Sequence, residues 1–186
     1  MKSGLLRNIF PLLLLAASAA SAQHLSFGVI GGFPLTYSEN TTNGTTITLD
    51  STSRQFIFGG TAEVGLPFGL SVEGDFLYHP FNLHEVNLIP ASNTVTNYSV
   101  FEVPVLAKLL LGKSIIAHPF AEAGPEFRAN IGNLTLSHDG FVVGGGVEFK
   151  LPLVKISPEL RYTRWASGGL TGENLNQAAF LVGVSF

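Results

Sequence analysis

"AAFLVGVSF", residues 178–186, carries the reading of the fold. Phe180, Val182, Val184 and Phe186 share one face of an extended strand, and Ala179, Leu181, Gly183 and Ser185 share the other. Ends of soluble domains usually fray into polar residues. Here the period of two runs into a terminal aromatic, which points to a last strand paired along its whole length.

The same period runs upstream through most of the chain, and a helical period is almost absent. Seven more runs can be marked, at 24–37, 54–66, 69–79, 98–111, 115–128, 140–151 and 153–165, before the last at 176–186. Soluble strands average about 5 or 6 residues, and these runs are longer. They suit the roughly 9 to 11 tilted residues that cross a bilayer as a strand. The gaps alternate. "SENTTNGTTITLDSTS" (38–53), "PFNLHEVNLIPASNTVTN" (80–97), "ANIGNLTLSHD" (129–139) and "ASGGLTGENL" (166–175) are long. "PF" (67–68), "GKS" (112–114) and the Leu151-Pro152-Leu153 junction are short. Long loops at one end and tight turns at the other are the habit of outer-membrane barrels, whose short turns face the periplasm. Both ends of the barrel chain then lie on the periplasmic side.

Composition agrees. Of 186 residues, 46% are hydrophobic and only 12% charged, with 21 Gly, 15 Phe and no Cys. No disulfide framework or thiol chemistry is available. Beyond the leader, no stretch approaches the roughly 18 apolar residues of a membrane helix. Residues 1–22 read as a secretory signal peptide. Lys2 and Arg7 form the positive region, "IFPLLLLAA" the apolar core, and Ala20-Ser21-Ala22 the cleavage site. The barrel domain is then 23–186. Loss of Lys2 and Arg7 takes the formal charge from −3 to −5, which argues against a nucleic-acid partner.

The charges lie opposite the apolar faces. Glu63, Glu73, Asp75, Glu102, Lys108, Glu122, Glu126, Arg128, Glu148, Lys150, Lys155, Glu159 and Arg161 all fall in this phase. A soluble calycin-like barrel would turn them to water, and a membrane barrel would turn them inward. Outward faces heavy in Phe and Tyr, and loops that carry the ordinary polar residues, favour the membrane. Eight strands leave an interior just wide enough for side chains to fill. The expectation is a packed lumen with a paired charge network. Gly28, Gly32, Gly59, Gly144 and Gly146 lie in the same phase, as room for long side chains. Pro104, Pro119, Pro125 and Pro158 fall inside the runs and predict bulges or strand ends. A bulge at Pro119 or Pro125 would shift the register of the fifth run.

"FEVPVLAKL" (101–109), "HPFAEAGPEFR" (118–128) and "PELRYTRW" (158–165) give the chain a further likeness. With the leader, the loop sorting and Phe186, the mature chain resembles the small eight-stranded outer-membrane barrels of the OmpA-transmembrane-domain and OmpX type. The resemblance implies an all-β, antiparallel up-and-down transmembrane barrel in the bacterial outer membrane, surrounded by its lipid. It also implies insertion by the barrel-assembly machinery, with Phe180, Val182, Val184 and Phe186 as the assembly signal. It implies no single activity.

Candidate chemistry is sparse. His79 and His84 with Glu85, and His138 with Asp139, have no metal-ligand spacing and read as solvated loop residues. Ser137-His138-Asp139 are consecutive, so their side chains alternate and cannot form one relay. No catalytic, cofactor or metal residue is assigned. The leading reading is a non-enzymatic barrel with a structural or surface-interaction role, and its long loops are open to an unknown surface partner. A lipid-modifying enzyme is the rival, and a soluble periplasmic calycin-like binding barrel the third reading. The apolar second loop (Phe81, Leu83, Val86, Leu88, Ile89) either extends its flanking strands as a hairpin or docks on a partner.

Overall fold

Alternating runs rich in Val, Phe and Tyr fit a pleated surface with one face buried. In the computed structural model they become strands. It describes residues 24–36, 38–42, 45–50, 56–88, 91–112, 116–131, 137–166 and 176–186. The predicted leader lies outside these residues. The strands are β1 (Leu25–Pro34), β2 (Ser38–Thr42), β3 (Thr45–Asp50), β4 (Ile57–Gly65), β5 (Leu70–Leu88), β6 (Ala91–Leu110), β7 (Ala117–Ile131), β8 (Asp139–Lys150), β9 (Lys155–Trp165) and β10 (Asn176–Ser185).

The order β5–β4–β1–β10–β9–β8–β7–β6 closes through a β5–β6 pair, making an eight-stranded antiparallel up-and-down barrel. The opening stretch forms the seam. β10 pairs with β1 from Gly28↔Ser185 to Pro34↔Ala179. Reciprocal backbone bonds between Phe27 and Phe186 continue it: Phe186 N–H to Phe27 O at 3.0 Å and the return bond at 3.2 Å.

At one end of the barrel the connections are short. A 3-10 turn over Pro67–Gly69 joins β4 to β5, with Leu66 N–H donating to Leu70 O at 2.7 Å. Leu151 N–H donates to Val154 O at 2.9 Å between β8 and β9. At the other end the first long loop is more ordered than a loop. It contains β2 and β3, and β3 pairs with β5 over Thr45↔Asn87 to Asp50↔Asn82. β5 and β6 keep one register from Leu70↔Leu109 to Leu88↔Ala91. The second loop is therefore the hairpin extension. Above the barrel, β2, β3, β5 and β6 form an upright sheet.

Of the two outcomes expected at the prolines, the bulge is not seen, and each ladder keeps its register across them. The β5–β6 pairing skips Asp75, Phe76, Val103 and Pro104, then resumes at Leu77↔Glu102. The β6–β7 pairing skips Val105, Leu106, Gly124 and Pro125. The β8–β9 pairing skips Val147, Glu148, Ser157 and Pro158. Each missing N–H thus removes local pairing without inserting a residue. Pro119 lies at the end of the β6–β7 ladder, where its carbonyl accepts from Leu111 N–H at 2.6 Å. The fifth run does not slip, and Phe120 is buried, 3% exposed.

The lumen glycines also act differently from expectation. A Cβ on Gly59 would overlap the Phe76 carbonyl, which is backbone of the neighbouring strand. Gly144 does make side-chain room, with Glu122 Oε1 and Arg161 Cγ close to the site a Cβ would take. Gly59→Ala is therefore expected to destabilise the barrel by about 1–3 kcal/mol, because only a wall shift relieves the overlap. Urea titration of the folded protein in detergent micelles checks this. A midpoint equal to wild type would contradict it.

Candidate functional site in the barrel lumen

The two faces of the wall are inverted relative to a soluble protein. Leu25, Phe27, Val29, Phe33, Phe58, Phe76, Phe127, Phe141 and Leu160 are exposed on the outside. Glu73, Asp75, Glu102, Lys108, Glu122, Glu126, Arg128, Glu148, Glu159 and Arg161 are buried. Charged residues almost never lie fully buried unless paired. Apolar residues turned outward and charges turned inward make sense when the outer solvent is hydrocarbon. Rings meet on the outer surface: Phe76 and Phe101 stack at 4.8 Å, Phe58 and Tyr78 meet edge-on at 5.4 Å, and Phe33 and Phe180 lie 5.6 Å apart. No helix among the described residues is long and apolar enough to cross a membrane; the strands supply the apolar surface.

The outer membrane protein beta-barrel domain family matches residues 9–186. The chain belongs to this family. The outer membrane protein OprG from Pseudomonas aeruginosa has a similar structure, at 12% identity and TM-score 0.64, covering 88% of this chain and 93% of that one. Neisserial surface protein A is also similar, at 11% identity and TM-score 0.57, covering 88% and 97%. At such identities the likeness is one of fold. No curated protein sequence matches the chain. As a member of this family, the protein resides in the bacterial outer membrane, surrounded by its lipid.

The lumen of this outer-membrane barrel is layered. Near the extracellular end, Arg128 Nη2 lies 3.1 Å from Glu102 Oε1 and donates to Gln177 Oε1 at 3.0 Å. Trp165 Nε1 donates to the same amide oxygen at 3.1 Å, and the Arg128 guanidinium lies 3.6 Å from the centroid of the Trp165 ring. A second patch is apolar: Ile30, Ile57, Leu77, Ala179 and Leu181 pack together. Arg161 is the hub of the main charge cluster. Its Nη1 meets Asp75 Oδ2 at 2.5 Å, its Nη2 meets Glu73 Oε1 at 2.8 Å, and its Nε lies 2.9 Å from Glu122 Oε1 and 2.7 Å from Glu159 Oε1. Lys108, 2% exposed at its side chain, reaches the other oxygen of Glu73 at 2.8 Å and sits 4.2 Å from the Phe120 ring centroid. Toward the periplasm, Lys155 pairs with Glu63 at 3.0 Å and lies 3.8 Å from Glu148.

Three carboxylates, of Glu73, Glu122 and Glu159, come close enough together to suggest a metal site. Arg161 already occupies the point where they converge, and its N–H groups explain the cluster without an ion. A space of about 20 Å³ beside Glu63, Glu73, Lys108 and Glu159 has room for about one water. A larger cavity of about 430 Å³ opens at the periplasmic mouth, among Leu66, Leu151, Leu153 and Phe186.

Two placements differ from expectation. Lys150 is exposed, at the mouth, and touches the lumen only through Glu148 at 3.4 Å. It is the last residue of β8, at the rim of the wall, where water reaches it. His79 is not a solvated loop residue. Continued β5–β6 pairing carries it into the wall, and its Nδ1 lies 3.3 Å from Glu102 Oε1. The side chain of His84 lies outside what is described; its backbone pairs with Thr48 and Val95. Ser137, His138 and Asp139 form no relay: Ser137 Oγ donates to the Ala166 carbonyl, and His138 Nδ1 meets the Arg128 carbonyl at 3.1 Å. Sequence reading missed Trp165 and Gln177, although Trp165 shares the inward phase of Glu159 and Arg161.

Proposed function

We propose that this barrel is a non-enzymatic scaffold that holds an extracellular β-sheet at the cell surface for interaction with a partner. One observation carries the reading: β5 and β6 remain paired in a single register from the periplasmic turn to Leu88↔Ala91. A wall strand that continues without a break transmits the rigidity of the barrel to the sheet above it. The lumen supports the same reading. Arg161 with its four carboxylates and the Ile30–Leu181 apolar patch stand where a pore would need open space. Each of these four carboxylates has an Arg161 nitrogen within 2.9 Å, which suits a structural network better than a reaction site. Residues 1–22 act in this reading as the export signal, and Phe180, Val182, Val184 and Phe186 as the segment read by the barrel-assembly machinery.

Two measurements on the purified folded protein test the scaffold. Planar-bilayer recordings are expected to show no steady conductance. Incubation with lipid A and phospholipid is expected to leave both unmodified. A sustained open channel, or release of fatty acid that follows the folded protein, would overturn the reading.

A further inference from the structure

We propose that the edge of β6 above the membrane pairs antiparallel with the same edge of a second copy embedded in a facing membrane. The inference deepens the scaffold reading by naming its partner, and it rests on that reading. In the barrel, β6 has β5 on one side and β7 on the other. The β7 pairing stops at Ser99↔Ile131. Among the described residues β7 runs no further than Ile131. From Ala91 to Tyr98, β6 has only β5 beside it among the described residues. Open edges of this kind are normally blunted by charge, proline or a bulge. Residues 91–98, "ASNTVTNY", contain no charged residue and no proline, and the register across them is unbroken.

The edge is self-complementary. Asn93-Thr94-Val95-Thr96-Asn97 reads the same in both directions about Val95. A two-fold axis at Val95 sets Val95 opposite Val95 of the second copy, Thr94 opposite Thr96, and Asn93 opposite Asn97. Like partners meet across an isologous contact, and Thr–Thr cross-strand pairs are favourable. The backbone phase also fits. Leu111 donates to Pro119 on the β7 side, and alternate residues of a strand share a bonding side. Asn93, Val95 and Asn97 therefore present their N–H and C=O groups to the open edge.

The symmetry decides where the second copy sits. Antiparallel identical strands are related by an axis perpendicular to their sheet. This sheet continues the barrel wall upright, so that axis lies near the membrane plane. The rotation turns the membrane normal over. Two copies side by side in one membrane cannot obey it, whereas copies in two apposed membranes can.

The test uses the mature chain folded in phosphatidylcholine vesicles, with donor and acceptor lipid dyes in separate populations. Outward presentation is verified by labelling Val95→Cys with a membrane-impermeant maleimide. Wild type is expected to cluster vesicles, read as a several-fold rise in light scattering and dye energy transfer that grows with protein density. Val95→Pro should abolish clustering while keeping the heat-modifiable gel mobility of a folded barrel. The chain has no native cysteine, so oxidised Val95→Cys should give disulfide dimers between populations. Ser92→Cys, which faces Tyr98 in this register, should give none. Absence of clustering by outward-facing wild type, clustering that Val95→Pro retains, or Val95→Cys dimers confined to single vesicles would each overturn the inference. None of these results bears on the conductance and lipid assays, so the scaffold reading fails or stands separately.

Discussion

Replacing Arg161 with methionine is expected to cost the folded barrel about 3–5 kcal/mol, the usual penalty for removing one partner of a buried ion pair. The cause is local. Asp75, Glu73, Glu122 and Glu159 all lie within 2.9 Å of the guanidinium, and all are buried. Lys108 alone remains nearby, and it already serves Glu73. Methionine replaces the aliphatic stem of the side chain but supplies no donor, so several carboxylates lose their compensation together. With a urea dependence of about 1–3 kcal/mol per molar, the unfolding midpoint should fall by at least 1 M in detergent micelles. Lys150→Met provides the contrast, because Lys150 is exposed and its ion pair is worth about 0–1 kcal/mol. Similar midpoints for the two variants would show that Arg161 is not the hub of the lumen.

Deleting Phe186 is expected to lower the amount of assembled barrel in the outer membrane several-fold while leaving refolding in detergent largely intact. The residue completes the seam through its two backbone bonds with Phe27. Each is worth about 1 kcal/mol, too little to unfold the barrel once formed. The residue is 76% exposed at the periplasmic mouth, where an aromatic is favoured at the interface. A large assembly defect beside a small stability loss therefore separates recognition during insertion from closure of the seam. The ratio of heat-modifiable to unfolded band in membrane fractions measures the first, and urea titration the second. Normal assembly of the deletion would remove Phe186 from the assembly signal.

Much of the wall was legible because a period of two has one physical meaning. Each strand separates hydrocarbon from lumen, so its residues must alternate, and the phase of Phe27, Val72 and Phe141 follows directly. The bulges expected at the prolines do not form, because loss of an N–H removes a ladder bond without inserting a residue. Around Pro104, Pro125 and Pro158 the neighbouring strands hold the register on both sides of the gap. His79 was misread because strand length was taken from hydrophobicity. Above the membrane the ladder needs only backbone pairing, so β5 runs on through polar residues to Leu88. Gly59 was assigned to side-chain room, whereas its cause is a carbonyl on an adjacent strand, which no linear pattern displays.

Alternation, charge phase, loop sorting and a terminal aromatic strand are properties of neighbouring residues, and the sequence by itself determined them. They establish how many strands the barrel wall has, which face meets lipid, and that β10 must be paired. Which charges meet was decided only by the closed tertiary structure. Arg161 and Asp75 lie far apart in the chain, and closure of the cylinder brings them to 2.5 Å. The same closure carries β6 beyond its last pair with β7, Ser99↔Ile131. Distance across a barrel depends on register and closure, and neither is a local property of the chain.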